Sequence, residues 1–429
     1  MSEQNSKQSA EIQEATNERS PKRSRRFGIR WRTLVTPLMA IVTALVLGAV
    51  VIVVTDLSVY AAFERGFGAG LVRAWQSVAS AYGAFFIGAF GDPVQMVRGL
   101  STWITTGNGQ AWARALYPLT ETLRYTTPLI FAGLAVALGF RGGLFNIGAE
   151  GQYFIAGLTT VFVGYYFTGL PWFIHVPLAL LAGILGGAVW GLIPGYLKAK
   201  TGAHEVINTI MMNYIAFRFA EFMLDVGGPM ARGDGRPVSP VIQESARLQQ
   251  FLPSNPNIRF NVGFILALLA AAFVYWLLFK TTIGFEIRTV GQNPRAAKYA
   301  GMSVTRTIVL TMAISGGLAG LAASTDILGV LRFMPNAFAS GYGFDAIALA
   351  LLGNSHPVGV VLASLLFGAL QAGARNMQAV ARVPLDLTEI IQGLIIIFIA
   401  APAIIRSLYR LRAVADGEEL VVTSGWGQL

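Results

Sequence analysis

Glu150 poses the first chemical question. It stands in FRGGLFNIGAEGQYFIAGL, residues 140–158, nine residues after Arg141 and within an otherwise apolar, glycine-rich stretch. If Arg141 marks the membrane surface, Glu150 lies about 13 Å inside at ~1.5 Å rise per residue. A carboxylate facing lipid there would cost several kcal/mol, so it must face the bundle interior, water or a partner. Asn146 and Glu150 are spaced i, i+4 and share a helical face. Gln152 follows two residues on. Two readings stand. Asn146, Glu150 and Gln152 line or brace a translocation path, or they form a buried, hydrogen-bonded polar knot that pins one helix to another. A bound cation is a third.

Three further stretches carry polar chemistry. In GAHEVINTIMMNYIAFRFAEF, residues 202–222, Glu205, Asn208 and Met212 recur at helical spacing and Asn213 comes one position later. An asparagine in hydrocarbon needs a partner. Arg218 and Glu221 read as a local i, i+3 ion pair, and Met211 and Met212 as packing or an adaptable apolar wall. In GYGFDAIALALLGNSHPVG, residues 341–359, Asp345 and the break at Asn354–His356 could contact solute, close a gate or cap a helix. In GFEIRTVGQNPRAAKYAGMS, residues 284–303, Asn293 is a good N-cap, Pro294 suits the first helical position and Gly301 the residue past the end. That predicts a short helix over about 294–300 bearing Arg295, Lys298 and Tyr299. It could rest on anionic lipid or dock a cytoplasmic protein.

The elements that must position these groups are membrane helices. Of the 429 residues 54% are apolar and 13% charged, with mean hydropathy +0.57; a soluble domain carries about a quarter charged residues. Uncharged stretches recur at Leu34–Thr55, Gly151–Ile174, Val176–Leu197, Val262–Phe279, Thr307–Thr325, Ala346–Ala374 and Ile390–Ile405. A helix needs ~20 residues to cross. The chain therefore reads as an all-α polytopic membrane protein with about ten transmembrane helices. The broken segment 342–353 is counted as one crossing, and spans 2–5 and 7–10 are candidates for inverted repeats. Residues 1–32 read as a disordered basic cytoplasmic tail, 33–55 as the first, uncleaved span, and 56–117 as an extracytoplasmic or interfacial segment in which 77–91 is a surface or re-entrant helix. Residues 118–405 form the core, with a cytoplasmic loop 280–306, and 406–429 a cytoplasmic tail. The basic cluster from Lys22 to Arg32 places the N-terminus inside, and Arg406, Arg410 and Arg412 the C-terminus.

Composition also excludes functions. There is no cysteine, and the three histidines are scattered outside any metal-binding spacing, so thiolate chemistry and a metal site are not expected. No GxxxxGK[ST] loop occurs, so ATP is not bound by that route. The net charge of +10 sits on membrane flanks and does not suggest nucleic acid.

Taken in order, GLFNIGAEGQ, GAHEVINTIMMNYIA, IRTVGQNPRAAKYAGM, SGGLAGLA (315–322) and GFDAIALALLGNSHPVG resemble the permease subunits of bacterial ABC importers of the branched-chain amino acid and simple-sugar superfamily, in its nucleoside-type branch. The resemblance runs from about Pro118 to Ile405. It implies a fold similar to type II importer permeases and a plasma-membrane, multi-pass chain that is the longer of two unlike permeases. It also implies a separate ABC ATPase using ATP and Mg, an extracytoplasmic lipoprotein receptor, and no cofactor on this chain. Asn293, Pro294, Arg295, Ala296, Ala297, Lys298, Tyr299, Ala300 and Gly301 would be the coupling helix. Asn146, Glu150, Gln152, Glu205, Asn208, Asn213, Asp345 and Asn354 would lie along the solute path or the permease–permease seam. The resemblance implies an importer that moves nucleosides, or related polar solutes such as sugars, by alternating access. The rival reading is a stand-alone proton- or ion-coupled transporter with Glu150 or Asp345 as its coupling carboxylate.

Overall fold

The computed structural model describes residues 31–107, 109–251, 258–336, 341–400, 404, 408 and 409. The expected tails 1–32 and 406–429 fall almost wholly outside them. The regular structure of the described residues is helical, with two isolated β-bridges, Val238 with Pro335 and Gln250 with Asn261. Its helices are α1 (Trp31–Thr55), α2 (Leu57–Arg65), α3 (Phe67–Phe90), α4 (Pro93–Thr106), α5 (Gly109–Arg141), α6 (Ala149–Tyr166), α7 (Trp172–Thr201), α8 (Glu205–Leu224), α9 (Gly263–Lys280), α10 (Thr282–Gln292), α11 (Pro294–Tyr299), α12 (Val304–Asp326), α13 (Tyr342–Leu352), α14 (Pro357–Ala381) and α15 (Leu385–Ala400). A π-helical turn, Ile327–Leu331, extends α12.

Local sequence explains many of the boundaries. Asp92, Thr281, Asn293 and Ser303 each accept a backbone N–H from the first turn of the helix they precede, satisfying donors a helix start leaves open. Asp56 does the same for α2 at a 68° bend between α1 and α2.

The number of crossings is a correction. Among the described residues five helices are long and apolar enough to cross a membrane: α5, α7, α9, α12 with its π turn, and α14. A sixth is added if the bent α1–α2 pair is one span. The figure of about ten came from treating uncharged stretches as spans. Yet α6 holds Glu150 and Gln152, α8 holds Glu205, Asn208, Asn213, Arg218 and Glu221, α13 has eleven residues and α15 sixteen. With that count goes the numbering that paired spans 2–5 with 7–10 as inverted repeats.

Helix α5 is the axis of the core. From Tyr125 to Gly139 every residue is buried, against α12, α13 and α14. The closest helix pair is α7 with α12, where Gly183, Gly187 and Gly191 face Gly316 and Gly320. Small residues let backbones approach where lipid offers no hydrophobic drive. Between α1 and α5, helix α3 packs on α14. The Asn376 amide donates to Ala84 O at 2.6 Å and the Thr122 hydroxyl to Ala89 O at 2.6 Å. Residues 77–90 thus lie within a 24-residue helix joined to the core, with Gly91 as its C-cap.

Candidate functional site

Glu150 sits in the first turn of α6, where the chain re-enters a helix after the turn that ends α5. Its side chain is 2% exposed. Oε1 accepts the N–H of Gly341 at 3.1 Å and Oε2 the N–H of Gly343 at 2.6 Å. Gly341 is the N-cap of α13, so one carboxylate satisfies orphan amides of a second helix while lying at the start of its own. Both helix starts carry partial positive charge, which favours an anion between them. Gly343 permits the approach, because a Cβ there would collide with the backbone N and Cα of Glu150.

Asn146 and Gln152 complete a knot beside it. The Asn146 amide donates to Gln152 Oε1 at 3.0 Å and Ser315 Oγ at 2.8 Å, while its oxygen accepts the Gly148 N–H at 3.0 Å and Gln152 Nε2 at 3.2 Å. The Ser315 hydroxyl donates in turn to Ala135 O at 2.6 Å. From α8, Asn213 accepts the Gly151 N–H at 2.8 Å and donates to Ile147 O at 3.0 Å. Asn146, Glu150, Gln152 and Asn213 therefore come together and tie α5, α6, α8, α12 and α13. Every one is buried, and hydrogen bonds meet the desolvation cost of such groups.

The remaining expected residues stand elsewhere. Glu205 pairs with Lys198 at 3.1 Å. Asn208 keeps a buried Nδ2 without a partner among the described residues. Asp345 accepts from Gln371 and Gln392, each at 3.3 Å. Asn354 acts through its backbone: the Arg141 guanidinium donates to its carbonyl at 3.0 Å and to that of Ser355 at 2.9 Å. His356 packs against Tyr275 and Phe279 with ring centroids 5.8 and 5.5 Å away. Burial, then the Arg141 charge, holds its imidazole below the usual histidine range. Arg218 and Glu221 form the expected i, i+3 ion pair.

Helix α11 follows the expected boundaries closely. The Asn293 side chain accepts the Ala296 N–H at 3.0 Å, and Gly301 ends the element with φ +82°. Ala297 is buried, while Arg295, Lys298 and Ala300 are exposed and Tyr299 is 94% exposed. A helix that anchors one alanine and presents a cationic, aromatic face suits docking. The loop also reaches the turn that precedes the knot, since the backbone of Gly291 on α10 lies against Arg141–Gly143.

Residues 119–400 match the family model described as "Branched-chain amino acid transport system / permease component". That match spans more than half of the chain. The chain belongs to this family. It is 40% identical over 377 residues to the guanosine ABC transporter permease protein NupP of Bacillus subtilis (strain 168), covering 87% of this chain and 94% of that one. It is 36% identical over 290 residues to the nucleoside ABC transporter permease protein NupB of Lactococcus lactis subsp. cremoris (strain MG1363), covering 66% and 79%. A glucose ABC transporter permease protein, TsgB13 of Haloferax volcanii, is 37% identical over 291 residues, covering 66% and 76%. No solved structure matches the chain. Membership implies an ABC ATPase partner and a paired permease. The chain is thus a multi-pass, non-catalytic transport subunit of the plasma membrane.

The permease also holds a cluster that sequence reasoning missed. Asp326, the last residue of α12, accepts the Tyr153 hydroxyl at 2.9 Å. Tyr153 meets Tyr342 edge-on at 5.9 Å. On α5, Arg124 pairs with Glu121 at 3.0 Å and lies over the Tyr125 ring at 4.0 Å; Arg375 of α14 lies over the same ring at 5.0 Å. The signal was present. The uncharged run Thr307–Thr325 stops at a lone aspartate, which reads as the end of a span and can equally be a buried charge.

Proposed function

We propose that this permease moves nucleosides, or chemically related small polar solutes such as sugars, inward by alternating access driven by a partner ATPase. The observation that carries the reading is the 40% identity across nearly the whole length of a guanosine permease. The glucose relative keeps sugars within the class. By the same reading this chain is the longer member of a pair of unlike permeases and receives solute from an extracytoplasmic lipoprotein receptor. Asn146, Glu150, Gln152 and Asn213 brace the helix starts around the path, and Glu205, Asn208, Asp345 and Asn354 line the path or seam. Both oxygens of Glu150 accept backbone N–H groups, which favours a fixed anion over a proton carrier. Uptake into cells lacking their own nucleoside transport tests this directly. ATP-dependent accumulation of guanosine by the complete complex is expected, and uptake that ignores ATP but follows a proton gradient would overturn it.

Helix α11 is assigned as the ATPase coupling element, Asn293 to Gly301. Its movement would reach the knot through α10 and the Gly291 contact with the turn before Asn146. Exchanging Arg295 and Lys298 for glutamate reverses the charge of its exposed face. The expected result is complexes that insert normally and hydrolyse ATP, with uptake per ATP reduced about tenfold or more, the scale of ~1.4 kcal/mol per decade. Gly301→Val should act similarly, because a β-branched residue does not accept a positive φ. Full coupling in both variants would remove α11 from this role.

A further inference from the structure

Helix α13 is held at both ends from one short piece of chain. At its start, Glu150 accepts the N–H groups of Gly341 and Gly343. Past its end, the Arg141 guanidinium donates from Nε to the Ser355 carbonyl at 2.9 Å and from Nη2 to the Asn354 carbonyl at 3.0 Å. Anion and cation thus stand at the helix ends that favour each, and both belong to the connection 141–150 between α5 and α6. The carbonyls that Arg141 grips sit in a strained turn. Asn354 has φ +53° and Ser355 φ +47°, a left-handed pair that residues with side chains rarely adopt and that persists only where its surroundings hold it. The turn has no slack, since a Cβ on Gly353 would collide with the backbone of Gly359 and Val360 at the start of α14. The other side of the connection is pressed as closely. A Cβ on Gly291 of α10 would collide with the Arg141 carbonyl and the backbone of Gly142 and Gly143, and α10 is followed after Asn293 by α11.

We propose that Arg141 is a positioning residue for coupled transport, a clamp that carries movement of the α10–α11 loop to the exit of α13. Glu150 carries the same movement to the entry. The connection 141–150 then displaces both ends of α13 in one stroke, and the eleven-residue helix follows as a unit. The assignment rests on the importer reading given above and on α11 as its coupling element. Arginine suits the task because its planar fork presents N–H groups to two successive carbonyls, whereas a lysine ammonium is a single point charge. The plainer role for Arg141 is that of a cation marking the cytoplasmic flank of α5. That role needs only positive charge, so lysine would fill it equally well. A clamp needs the fork.

The test compares Arg141→Lys and Arg141→Gln with wild type in the complete complex, reading guanosine uptake and ATP hydrolysis together. Both variants are expected to insert and to hydrolyse ATP. Uptake per ATP should fall about tenfold with glutamine, the scale of one hydrogen bond to a charged group, and by a smaller factor with lysine. Full coupling in the lysine variant would reduce Arg141 to a flank charge and overturn the clamp. Recovery of coupling when Ser355→Gly is added to Arg141→Gln would overturn it too, by showing that Arg141 only holds the shape of the turn. The chain has no cysteine, so Phe344→Cys, at an exposed position of α13, gives a single labelling site with Arg141 in place. Its rate of reaction with a water-soluble maleimide is expected to differ severalfold between nucleotide-free and vanadate-trapped complexes. This covers the case in which neither Arg141 variant assembles: equal rates would show that α13 stays still and would remove the clamp. Uptake that ignores ATP would sink the importer reading and the clamp together. Full coupling in the Arg141 variants, beside uncoupling by charge reversal on α11, would remove the clamp alone.

Discussion

Gly316→Val is expected to remove most of the folded permease from the membrane. Helices α7 and α12 meet backbone to backbone: a Cβ on Gly316 would collide with the Gly187 carbonyl, and one on Gly187 with that of Gly316. One turn along, a Cβ on Gly320 would collide with the Gly183 carbonyl, and one on Gly183 with the hydroxyls of Ser324 and Thr160. Valine would force the helices apart over both turns. That loses dispersion contacts along α7, α12 and α6, and disturbs the Thr160–Ser324 hydrogen bond of 2.8 Å that joins α6 to α12 beside Gly183. Overpacking a core costs about 1–3 kcal/mol and occasionally more; displacing two backbones places this change at the upper end. Against a total stability of roughly 5–15 kcal/mol, a several-fold drop in monodisperse protein on size exclusion is expected. The neighbouring position is the control. A Cβ on Gly317 would meet Ile184 Cγ2 at 3.3 Å and its carbonyl at 3.5 Å, so Gly317→Ala should keep most of the yield. Equal yields from the two variants would show that the glycine seam does not set this packing.

The same seam shows how much the sequence disclosed. SGGLAGLA entered the sequence reading only through the family resemblance, with no packing role, whereas the cap and stop residues placed α11 to within a residue. Capping is a local signal; which helix a run of small residues meets is not. The crossing number was not local. Whether α6 or α8 counts as an apolar span depends on polar side chains whose partners lie on other helices, as Asn213 finds Gly151 and Ile147. The site divided along the same line. Asn146, Glu150 and Gln152 stand within seven residues, so their common role was visible. Asn213 was noticed for its type, with no indication of what it would hold. Glu205, Asp345 and Asn354 meet separate partners, Lys198, two glutamines and Arg141, which no spacing in the sequence indicated. The cluster around Asp326 draws residues from α5, α6, α12, α13 and α14, a convergence that no spacing encodes.

Glu150→Gln separates the two readings that the sequence left open. The substitution preserves length and volume but turns one oxygen into an NH2 group. Gly341 and Gly343 both present N–H donors, so whichever way the amide is set, one donor faces another. The lost charge-assisted bond and the orphaned amide cost about 1–3 kcal/mol, and the favourable placement of an anion at two helix starts is lost with them. Glu150→Ala should cost more, since it orphans both amides and leaves a void at the break. If the carboxylate is a brace, Glu150→Gln should lower the melting temperature and cut uptake severely, and uptake should not recover at any external pH. A group that carried a coupled proton would behave differently: the glutamine variant would fold normally while its uptake lost its pH dependence. Full stability with pH-insensitive uptake would therefore overturn the brace. A destabilised complex whose residual uptake still follows ATP would establish that Glu150 serves by holding α13 against α6, making the geometry of the break the quantity that ATP hydrolysis must change.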